Sequence, residues 1–316
     1  MSRSGGAIGW GKVILLGEHA VVYGYPALVG ALDRGVTAAA LPTPAGGALR
    51  LDVPGWQLAV HASTRPDADP PARALAAIAD SLGIGRPAVT IVAETQLPPG
   101  AGLGSSAALA VACARALAAF ASVPASPAVI AEAAGAAERV FHGTPSGIDV
   151  AVALAGGLGV FRKASGLRAI ATPSLRVLVG PPADATGAGV VPASRSTKEM
   201  VDRVADATRG DPDDARLREL GGLTDHGAAA LLARDLAKLG AAMDRAHATL
   251  SALGVSTVRL DQLCAVARAA GAYGAKLTGG GGGGAVIAVA PADREAAVLA
   301  AWRSCGVTGF VAEVNR

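Results

Sequence analysis

Short apolar runs and longer helical patterns alternate along the first half of the chain. KVILLG (12–17) is apolar, contains β-branched residues and ends at a glycine, so it predicts a strand. ALVGAL, GVTAAAL and the segment around ALRLDV predict further short strands up to about residue 60, and AVTIVAET (88–95) predicts another. Helical spacing predicts helices over 72–83, 105–121 and 126–141, and the turn-rich segment HGTPSGID follows between Phe141 and Val150.

The second half has a different order of elements. LRVLVGPP (175–182) predicts a strand, and the pattern is then helical almost throughout from 194 to 270. AKLTG, six glycines (279–284), the strand-like AVIAVAP, a helix around 293–304 and the strand-like VTGFVAEV complete the chain. The order strand, helices, strand, strand, helix, strand predicts an α+β sandwich that separates from the first half near residue 170.

Composition restricts the kind of protein. A chain of 316 residues with 51% hydrophobic and 17% charged residues suits an ordered protein of roughly two domains. A net charge of +3 without a basic run argues against a nucleic-acid surface. Three widely spaced cysteines predict no disulfide framework and no metal-ligand pair. The first residues contain no apolar export signal, and Arg115 interrupts the most apolar stretch, so we expect a cytoplasmic protein without a membrane span.

The stretch LPPGAGLGSSAAL (97–109) places glycines directly before a predicted helix. A helix N-terminus carries unpaired N–H groups and a partial positive charge, and glycines allow a bulky anion to approach it, so the stretch predicts a phosphate-binding loop. Gly104 is not followed by lysine, which excludes a Walker A loop. A dinucleotide fingerprint matches only loosely, because the first acidic residue after it is Glu132. An ordinary capped helix is the alternative.

Two carboxylates are candidates for chemistry beside this loop. Mg²⁺ takes one or two protein oxygens together with nucleotide phosphates, so a serine at the helix start and Glu138 would suffice. The alternative for Glu138 is a solvated surface residue. Asp149 enters an apolar run and requires a cation or a hydroxyl as a partner, unless it caps a helix. Lys12 is a candidate to neutralise Asp149 and to lower the pKa of a substrate hydroxyl.

Other polar groups lie next to glycines or hydroxyls. Glu18 and His19 follow the strand that Lys12 precedes, and together the three predict a polar site. Lysines are scarce, and Lys198 and Lys276 also have such neighbours. The six-glycine run is either a flexible linker or a backbone that a ligand approaches closely, held between two strands. The segment SRSTKEM (194–200) is either a helix cap or a third polar edge of the pocket.

Four motifs together resemble one known family. GEHAVVYG, PPGAGLGSSAA, HGTPSGID and KLTGGGGGG, in this order and spacing, are similar to those of the GHMP kinase superfamily and, within it, the mevalonate kinases. The resemblance covers the whole chain. It implies an ATP-binding N-terminal domain like ribosomal protein S5 domain 2 over 1–170, and a ferredoxin-like C-terminal domain over 171–316. The oligomeric state stays open, a homodimer included.

The resemblance also implies roles for individual residues in ATP-dependent phosphorylation of the 5-hydroxyl of mevalonate. The ATP phosphates would lie against Gly100, Ala101, Gly102, Leu103, Gly104, Ser105 and Ser106, with Thr95 as a weaker nucleotide contact. Ser106 and Glu138 would hold Mg²⁺, and Asp149 would be the general base, with Lys12 beside it. Mevalonate would contact Lys12, Glu18, His19, Asp149, Ser196, Thr197 and Gly280. One departure concerns the glycine-rich motif KLTGGGGGG. There the family commonly has Ala or Arg and a closing Cys, and this chain has Gly280, Gly283 and Ala285 in those regions.

Two other functions are compatible with the same fold. A kinase for phosphomevalonate or a sugar is the first. A phosphorylated acceptor should require extra basic residues in the pocket, and the sequence offers none beyond Lys12, Lys198 and Arg195. A ligand sensor without turnover is the second, but such a protein should have lost Lys12, Glu138 or Asp149, and all three are present.

Overall fold

Two β-sheets, one from each half of the chain, are joined by the last strand of the sequence. The computed structural model describes residues 7–44, 47–143, 145–182 and 197–314. The first sheet contains β1 (Ala7–Leu16), β2 (Ala27–Pro42), β3 (Arg50–Val53), β4 (Leu58–His61), β5 (Val89–Thr95), β6 (Leu158–Arg162) and β7 (Gly166–Ala169). The second contains β8 (Leu175–Gly180), β9 (Gly274–Leu277), β10 (Val286–Val289) and β11 (Phe310–Val314).

The strand order places β9 at the edge of the second sheet, and hydrogen bonds between Ile14 of β1 and Thr278, directly after β9, bring the ends of these two strands together. The main path runs β4-β3-β5-β2-β11-β8-β10-β9, with β1 and β6 on β2 and with β7 on β6. Among the described strands, only the β3–β5 pair is parallel. Val314 of β11 lies opposite Leu32 of β2, and this pairing connects the sheets.

Helices cover the sheets and complete the core. The first half contains α1 (Pro70–Ser81), α2 (Ser105–Phe120), α3 (Pro127–His142) and α4 (Ile148–Ala155). The second contains α5 (Thr197–Thr208), α6 (Ala215–Leu232), α7 (Leu236–Ala252), α8 (Val258–Ala269) and α9 (Glu295–Ser304). Helix α2 is buried almost all round, and half of its residues are alanine, whose small side chains allow this close packing. A Cβ atom at Gly9 of β1 would lie only 2.0 Å from the Ala108 carbonyl oxygen, so strand and helix pack backbone against backbone.

Most of the predicted elements are confirmed, with corrections at their ends. ALVGAL and GVTAAAL form one strand, β2, because its polar centre at Asp33 and Arg34 lies between the segments that pair with β6 and β5. Lys12 lies within β1 and does not precede it. The turn after α3 ends earlier than predicted, since α4 begins at Ile148. The proposed boundary near residue 170 falls between β7 and β8 and stays a prediction.

Two further expectations concern cysteines and membranes. Cys113, Cys264 and Cys305 are all free thiols, as expected from their spacing. Within the described ranges, no helix has the length and apolar character required to cross a bilayer.

Helix α6 packs on the loop that follows β1. The Thr224 hydroxyl donates a hydrogen bond to the Pro26 carbonyl at 3.1 Å, and the Tyr25 hydroxyl donates one to the Pro212 carbonyl at 3.1 Å. Gly221 leaves room for the Tyr25 ring, since a Cβ atom there would lie 2.5 Å from Tyr25 Cδ1. Gly222 has no such neighbour within 4 Å.

These two adjacent glycines provide a matched test of the packing. Gly221→Ala should destabilise the protein by about 1–3 kcal/mol, because the new methyl group overpacks the contact with Tyr25. Gly222→Ala should stabilise it by about 0.5–1 kcal/mol, because alanine has the higher helix propensity and meets no atom. Urea unfolding followed by circular dichroism measures both. An equal gain in stability for both variants would contradict the close contact between α6 and the loop.

Candidate active site

A lysine–carboxylate pair lies at the centre of the site. Lys12 Nζ is 3.1 Å from Asp149 Oδ1, and the Lys12 side chain is 6% exposed against 34% for Asp149. The Lys12 backbone N–H donates to the Leu103 carbonyl at 2.8 Å, so β1 also holds the glycine-rich loop before α2. The pair is therefore buried on its lysine side and open to solvent on its carboxylate side.

The N-terminus of α2 is directly beside this pair. Gly104 is the N-cap residue of α2 and has φ 72°, in the left-handed region that favours glycine. A Cβ atom at Gly104 would lie 2.8 Å from Lys12 Cγ and 3.3 Å from Asp149 Oδ1. Ser105 and Ser106 are the first residues of the helix and are partly exposed. Free helix N–H groups, two hydroxyls and a lysine–aspartate pair thus occupy one small region.

Asp149 does not cap a helix. The N-cap of α4 is Gly147, and Asp149 lies in the first turn of that helix. The capping alternative is therefore wrong. A carboxylate in the first turn is stabilised by the helix dipole, and Lys12 supplies the cation that the apolar surroundings require.

Glu138 is a buried carboxylate, so the surface alternative is also wrong. It lies on α3 and is 2% exposed. Burial raises the pKa of Glu138 to about 7, and the charge of Asp149 adds to this rise, whereas Ser106 and Lys12 oppose it. Its Oε1 atom is buried without a hydrogen-bond partner, and its Oε2 atom lies 3.7 Å from His142 Nε2. An unpartnered buried carboxylate oxygen beside a serine fits a cation.

The described residues do not supply a complete metal site of their own. Over the described part of the chain, no group of three or more His, Cys, Asp or Glu side chains could hold a metal ion. Mg²⁺ bound to nucleotide takes only one or two protein oxygens and obtains the rest from phosphates and water. Glu138 and Ser106 therefore fit a nucleotide-bound Mg²⁺ better than a resident metal.

The six-glycine run is not a linker. It connects the antiparallel strands β9 and β10, and the Ala285 N–H donates to the Ala101 carbonyl at 3.1 Å. A Cβ atom at Gly279 would lie 3.3 Å from the Gly102 carbonyl oxygen and 3.8 Å from Lys12 Nζ. The glycine segments of the two halves thus contact each other directly, beside the Lys12 ammonium group.

His19 and Gly280 lie on the same side of the site. His19 Nε2 is 3.0 Å from the Gly280 carbonyl oxygen. Burial lowers the pKa of His19 to about 4, so the imidazole is neutral at pH 7. Because a carbonyl only accepts hydrogen bonds, Nε2 carries the proton and Nδ1 is an acceptor. A Cβ atom at Gly280 would lie 3.3 Å from Thr197 Cγ2, which places Thr197 beside them.

The other predicted residues have varied positions. Glu18 is 1% exposed and pairs with Lys276, so a direct contact with substrate stays a prediction. Thr95 accepts a hydrogen bond from the Leu97 N–H at 3.0 Å. Ser196 and Arg195 lie outside the described residues. Lys198 forms an exposed pair with Asp202 at 2.6 Å.

An apolar cavity of about 160 Å³ adjoins the glycine-rich loop. Its walls include Trp56, Leu58, Pro71, Leu75, Gly100 and Ser105. The Trp56 indole N–H donates to the Leu97 carbonyl at 3.1 Å, which fixes the ring at this wall. An apolar recess therefore lies directly beside the glycine-rich loop.

Several site residues had only weak signals in the sequence. Glu138 and His142 are four residues apart, which places them on one helix face, and this spacing could have identified the pair. Thr278 binds β1 through its hydroxyl, which accepts from the Ile14 N–H at 2.9 Å and donates to the Ile14 carbonyl at 3.1 Å. Lys276 stood out as a lysine beside glycines, but its partner Glu18 is 258 residues away in sequence. Trp56 had no signal.

Comparisons with known proteins identify the family and the fold. The family model for the GHMP kinases N terminal domain matches residues 71–157, and the model for the GHMP kinases C terminal domain matches residues 228–308. A mevalonate kinase of Thermococcus sibiricus is 32% identical over 326 aligned residues, covering 96% of this chain and 94% of the relative. A mevalonate kinase of Aeropyrum pernix is 35% identical and covers 91% of this chain and 89% of the relative.

A solved structure has the same fold over nearly the whole chain. The mevalonate kinase of L. major, determined in complex with R-mevalonate, superposes with a TM-score of 0.82 at 27% identity. The match covers 99% of this chain and 96% of that chain. The predicted two-domain α+β fold is thereby confirmed.

Proposed function

This chain belongs to the mevalonate kinases of the GHMP kinase family, and on that premise we propose that it transfers the γ-phosphoryl group of ATP to the 5-hydroxyl of mevalonate. The observation that carries the proposal is the Lys12–Asp149 pair, 3.1 Å apart and in contact with the N-terminus of α2 through Gly104. A proton acceptor is thus held beside an anion-binding helix end. A kinase for a small alcohol requires both.

Asp149 is the proton acceptor in this proposal. As the substrate oxygen bonds to phosphorus and the bond to the ADP oxygen breaks, the hydroxyl proton passes to the Asp149 carboxylate. Lys12 keeps that carboxylate in place and stabilises the developing negative charge on the substrate oxygen. Asp149 is 34% exposed on its side chain, so a hydroxyl can reach it, whereas Lys12 is buried behind it.

The two glycine segments and the head of α2 hold the phosphates. Phosphoryl transfer depends mainly on positioning and on stabilisation of phosphate charge, which helix N–H groups supply. Gly102 and Gly279 allow the phosphates to approach the backbone, because neither presents a side chain. The apolar cavity beside Trp56 is suited to the nucleobase, whose flat ring can pack against the indole. Thr95, whose hydroxyl donates to the same Leu97 carbonyl as the Trp56 indole, is a weaker nucleotide contact.

Ser106 and Glu138 would hold the magnesium ion. When bound, Mg²⁺ neutralises negative charge on the phosphate oxygens. The unpartnered Oε1 atom of Glu138 is the natural ligand, and ionisation of this carboxyl accompanies binding because its pKa is about 7. The Ser106 hydroxyl adds a second oxygen at the start of α2.

The acceptor side of the site suits an alcohol that carries no phosphate. The neutral His19 presents Nδ1 as a hydrogen-bond acceptor, and Thr197 adds a hydroxyl close to Gly280. Lys198 is 77% exposed and pairs with Asp202, which leaves it poorly suited to bind a second phosphate. This arrangement favours mevalonate over phosphomevalonate.

The acceptor is tested by a direct assay. Purified protein with ATP and Mg²⁺ should release ADP with mevalonate, and much less with galactose, homoserine or phosphomevalonate. The measurement is coupled detection of ADP at equal concentrations of each acceptor. Equal or faster turnover of any of the other three would contradict the assignment, and absence of turnover with all four would favour the sensor alternative.

Asp149→Asn tests the proton acceptor. The amide keeps the shape of the side chain but accepts no proton, so kcat should fall about 10²–10⁴-fold, the usual contribution of general-base catalysis. Affinity for ATP should persist, because the glycine segments are unchanged. Asp202→Asn, at an exposed ion pair, is the control and should keep wild-type kcat. A folded Asp149→Asn variant with near-normal kcat would exclude the proposed role.

Glu138→Gln tests the metal ligand. The variant should need more Mg²⁺ for half-maximal activity, because it lacks the charged oxygen. Since the Glu138 pKa is about 7, the wild type should also need more Mg²⁺ as the pH falls below about 7, and the variant should lose this pH dependence. Glu132→Gln, at a 68% exposed side chain on the same helix, is the control and should behave as wild type.

The same variant has a readout in stability without metal. The unfolded Glu138 carboxyl ionises near its ordinary pKa of 4.5, whereas the folded one keeps its proton up to about 7. The folded state therefore binds more protons, and wild-type stability should fall relative to Glu138→Gln as the pH rises through this interval. Parallel Tm curves for the two proteins across this range would show that Glu138 is not desolvated.

A further inference from the structure

Lys276 is a fully buried lysine that the proposed phosphotransfer does not use. It lies on β9 and is 0% exposed. Its Nζ donates to Glu18 Oε1 and, at 2.6 Å, to the Leu277 carbonyl. A buried lysine is tolerated only when its charge is paired, so this residue requires Glu18.

Glu18 is equally enclosed. It is 1% exposed and lies in the loop directly after β1, next to His19. Its Oε2 atom is buried and has no hydrogen-bond partner among the described residues. Burial raises the pKa of Glu18 and lowers that of Lys276, and each partner opposes the shift of the other. Each charge of the pair is therefore stabilised by the other and not by solvent.

The pair is one of three contacts between the same two segments. Alternate residues of one segment, Lys276, Thr278 and Gly280, bind Glu18, Ile14 and His19 of the other. Thr278 and Gly280 use a hydroxyl and a backbone carbonyl, and only Lys276 uses a charge. The end of β1 and the loop after it are thus fixed to the base of the six-glycine run.

His19 shows why this loop needs support. Its φ is 60° and its ψ is −47°, a sparsely populated conformation that costs a residue with a side chain about 1–3 kcal/mol. Such a conformation persists only where the surroundings hold it. Glu18, the residue before His19, is fixed by its ion pair with Lys276, and the His19 ring is fixed by its hydrogen bond to the Gly280 carbonyl. Without the ion pair, only the ring hydrogen bond and the short-range backbone bonds of the loop, such as Val22 N–H to the His19 carbonyl at 3.0 Å, would hold the strained residue.

We infer that Lys276 and Glu18 are positioning residues, whose buried ion pair holds His19 in its strained conformation with Nδ1 directed to the acceptor alcohol. The inference rests on the proposed function. Lys276 is 0% exposed, so it cannot touch a substrate, and its removal can affect the acceptor only through its bonded neighbours, which are Glu18 beside His19 and the Leu277 carbonyl. A pair that only stabilised the fold would behave differently, because buried ion pairs can often be replaced by neutral groups without loss of stability.

The test compares Lys276→Met, Glu18→Gln and the double variant. Lys276→Met should melt at a lower temperature, because it leaves a buried carboxylate unpaired, and the double variant should recover most of that loss. The KM for mevalonate should nevertheless stay raised by about tenfold or more in all three, because misplacement of a substrate-positioning group by about 1 Å is costly. Affinity for a fluorescent ATP analogue should stay within about twofold of wild type in the double variant, since Thr278 still holds the glycine run.

A second ion pair supplies the matched control. Arg176 and Glu295 are 2.6 Å apart between β8 and α9, and the Glu295 side chain is 10% exposed. Arg176→Met combined with Glu295→Gln should leave the KM for mevalonate unchanged, although the Tm shifts. This separates loss of any ion pair from loss of the one beside His19.

Each result decides the inference. A double variant with the wild-type KM for mevalonate would overturn it and leave the pair a purely structural one. If Lys276→Met and the double variant do not fold, Glu18→Gln decides alone, because it removes the charge of the pair while its amide oxygen can still accept from Lys276 and keep the variant folded. An unchanged KM would then overturn the inference. Failure of the proposed function is recognised separately, since the wild type itself would then show no turnover of mevalonate.

Discussion

The need of a buried lysine for a carboxylate sets the arrangement of this site. Lys12 is almost fully buried on β1, and Asp149 of α4 meets that need at 3.1 Å. Their proximity leaves no room for a side chain at the start of α2, so Gly104 must be glycine. Strand β1 and helices α2 and α4, which are distant in sequence, thus meet at the charge of Lys12. The same constraint leaves the helix N–H groups facing the place where the carboxylate is open to solvent.

The second buried lysine, Lys276, is also paired with a carboxylate, but this pair is closed to solvent on both sides. Lys276 and Glu18 are both enclosed, whereas Asp149 keeps a third of its side chain exposed. In the function proposed above, exposure of Asp149 allows the Lys12–Asp149 pair to exchange a proton with a substrate, whereas the enclosed pair can only hold backbone. The enclosed pair joins the two halves at the loop that carries His19, and the open pair lies beside the two glycine segments.

The sequence predicts the local features of this protein well and the long-range ones poorly. The helix after the glycine–serine loop and the strands beside the six-glycine run follow from periodicity and turn residues, which act over a few positions. The continuity of β2 could not be predicted, because its polar centre is accommodated by Phe310, whose ring lies 4.3 Å from the Arg34 guanidinium. Burial of Glu138 could not be predicted either, since the alanine-rich helix α3 contains two glutamates, of which Glu132 is exposed and Glu138 is buried.

The departure from the family pattern in the six-glycine run (279–284) affects the acceptor side of the proposed site more than the nucleotide side. Gly279, Gly281, Gly282 and Gly283 all have φ between 72° and 122°, so their backbone requires glycine whatever binds there. Gly280 has no such requirement. Its carbonyl oxygen accepts from His19, and a Cβ atom there would press on Thr197 at 3.3 Å. The contacts with the phosphate loop come instead from Gly279 and Ala285. A side chain at Gly280 would therefore displace Thr197, and with it the acceptor side of the site, while the phosphate side kept its geometry.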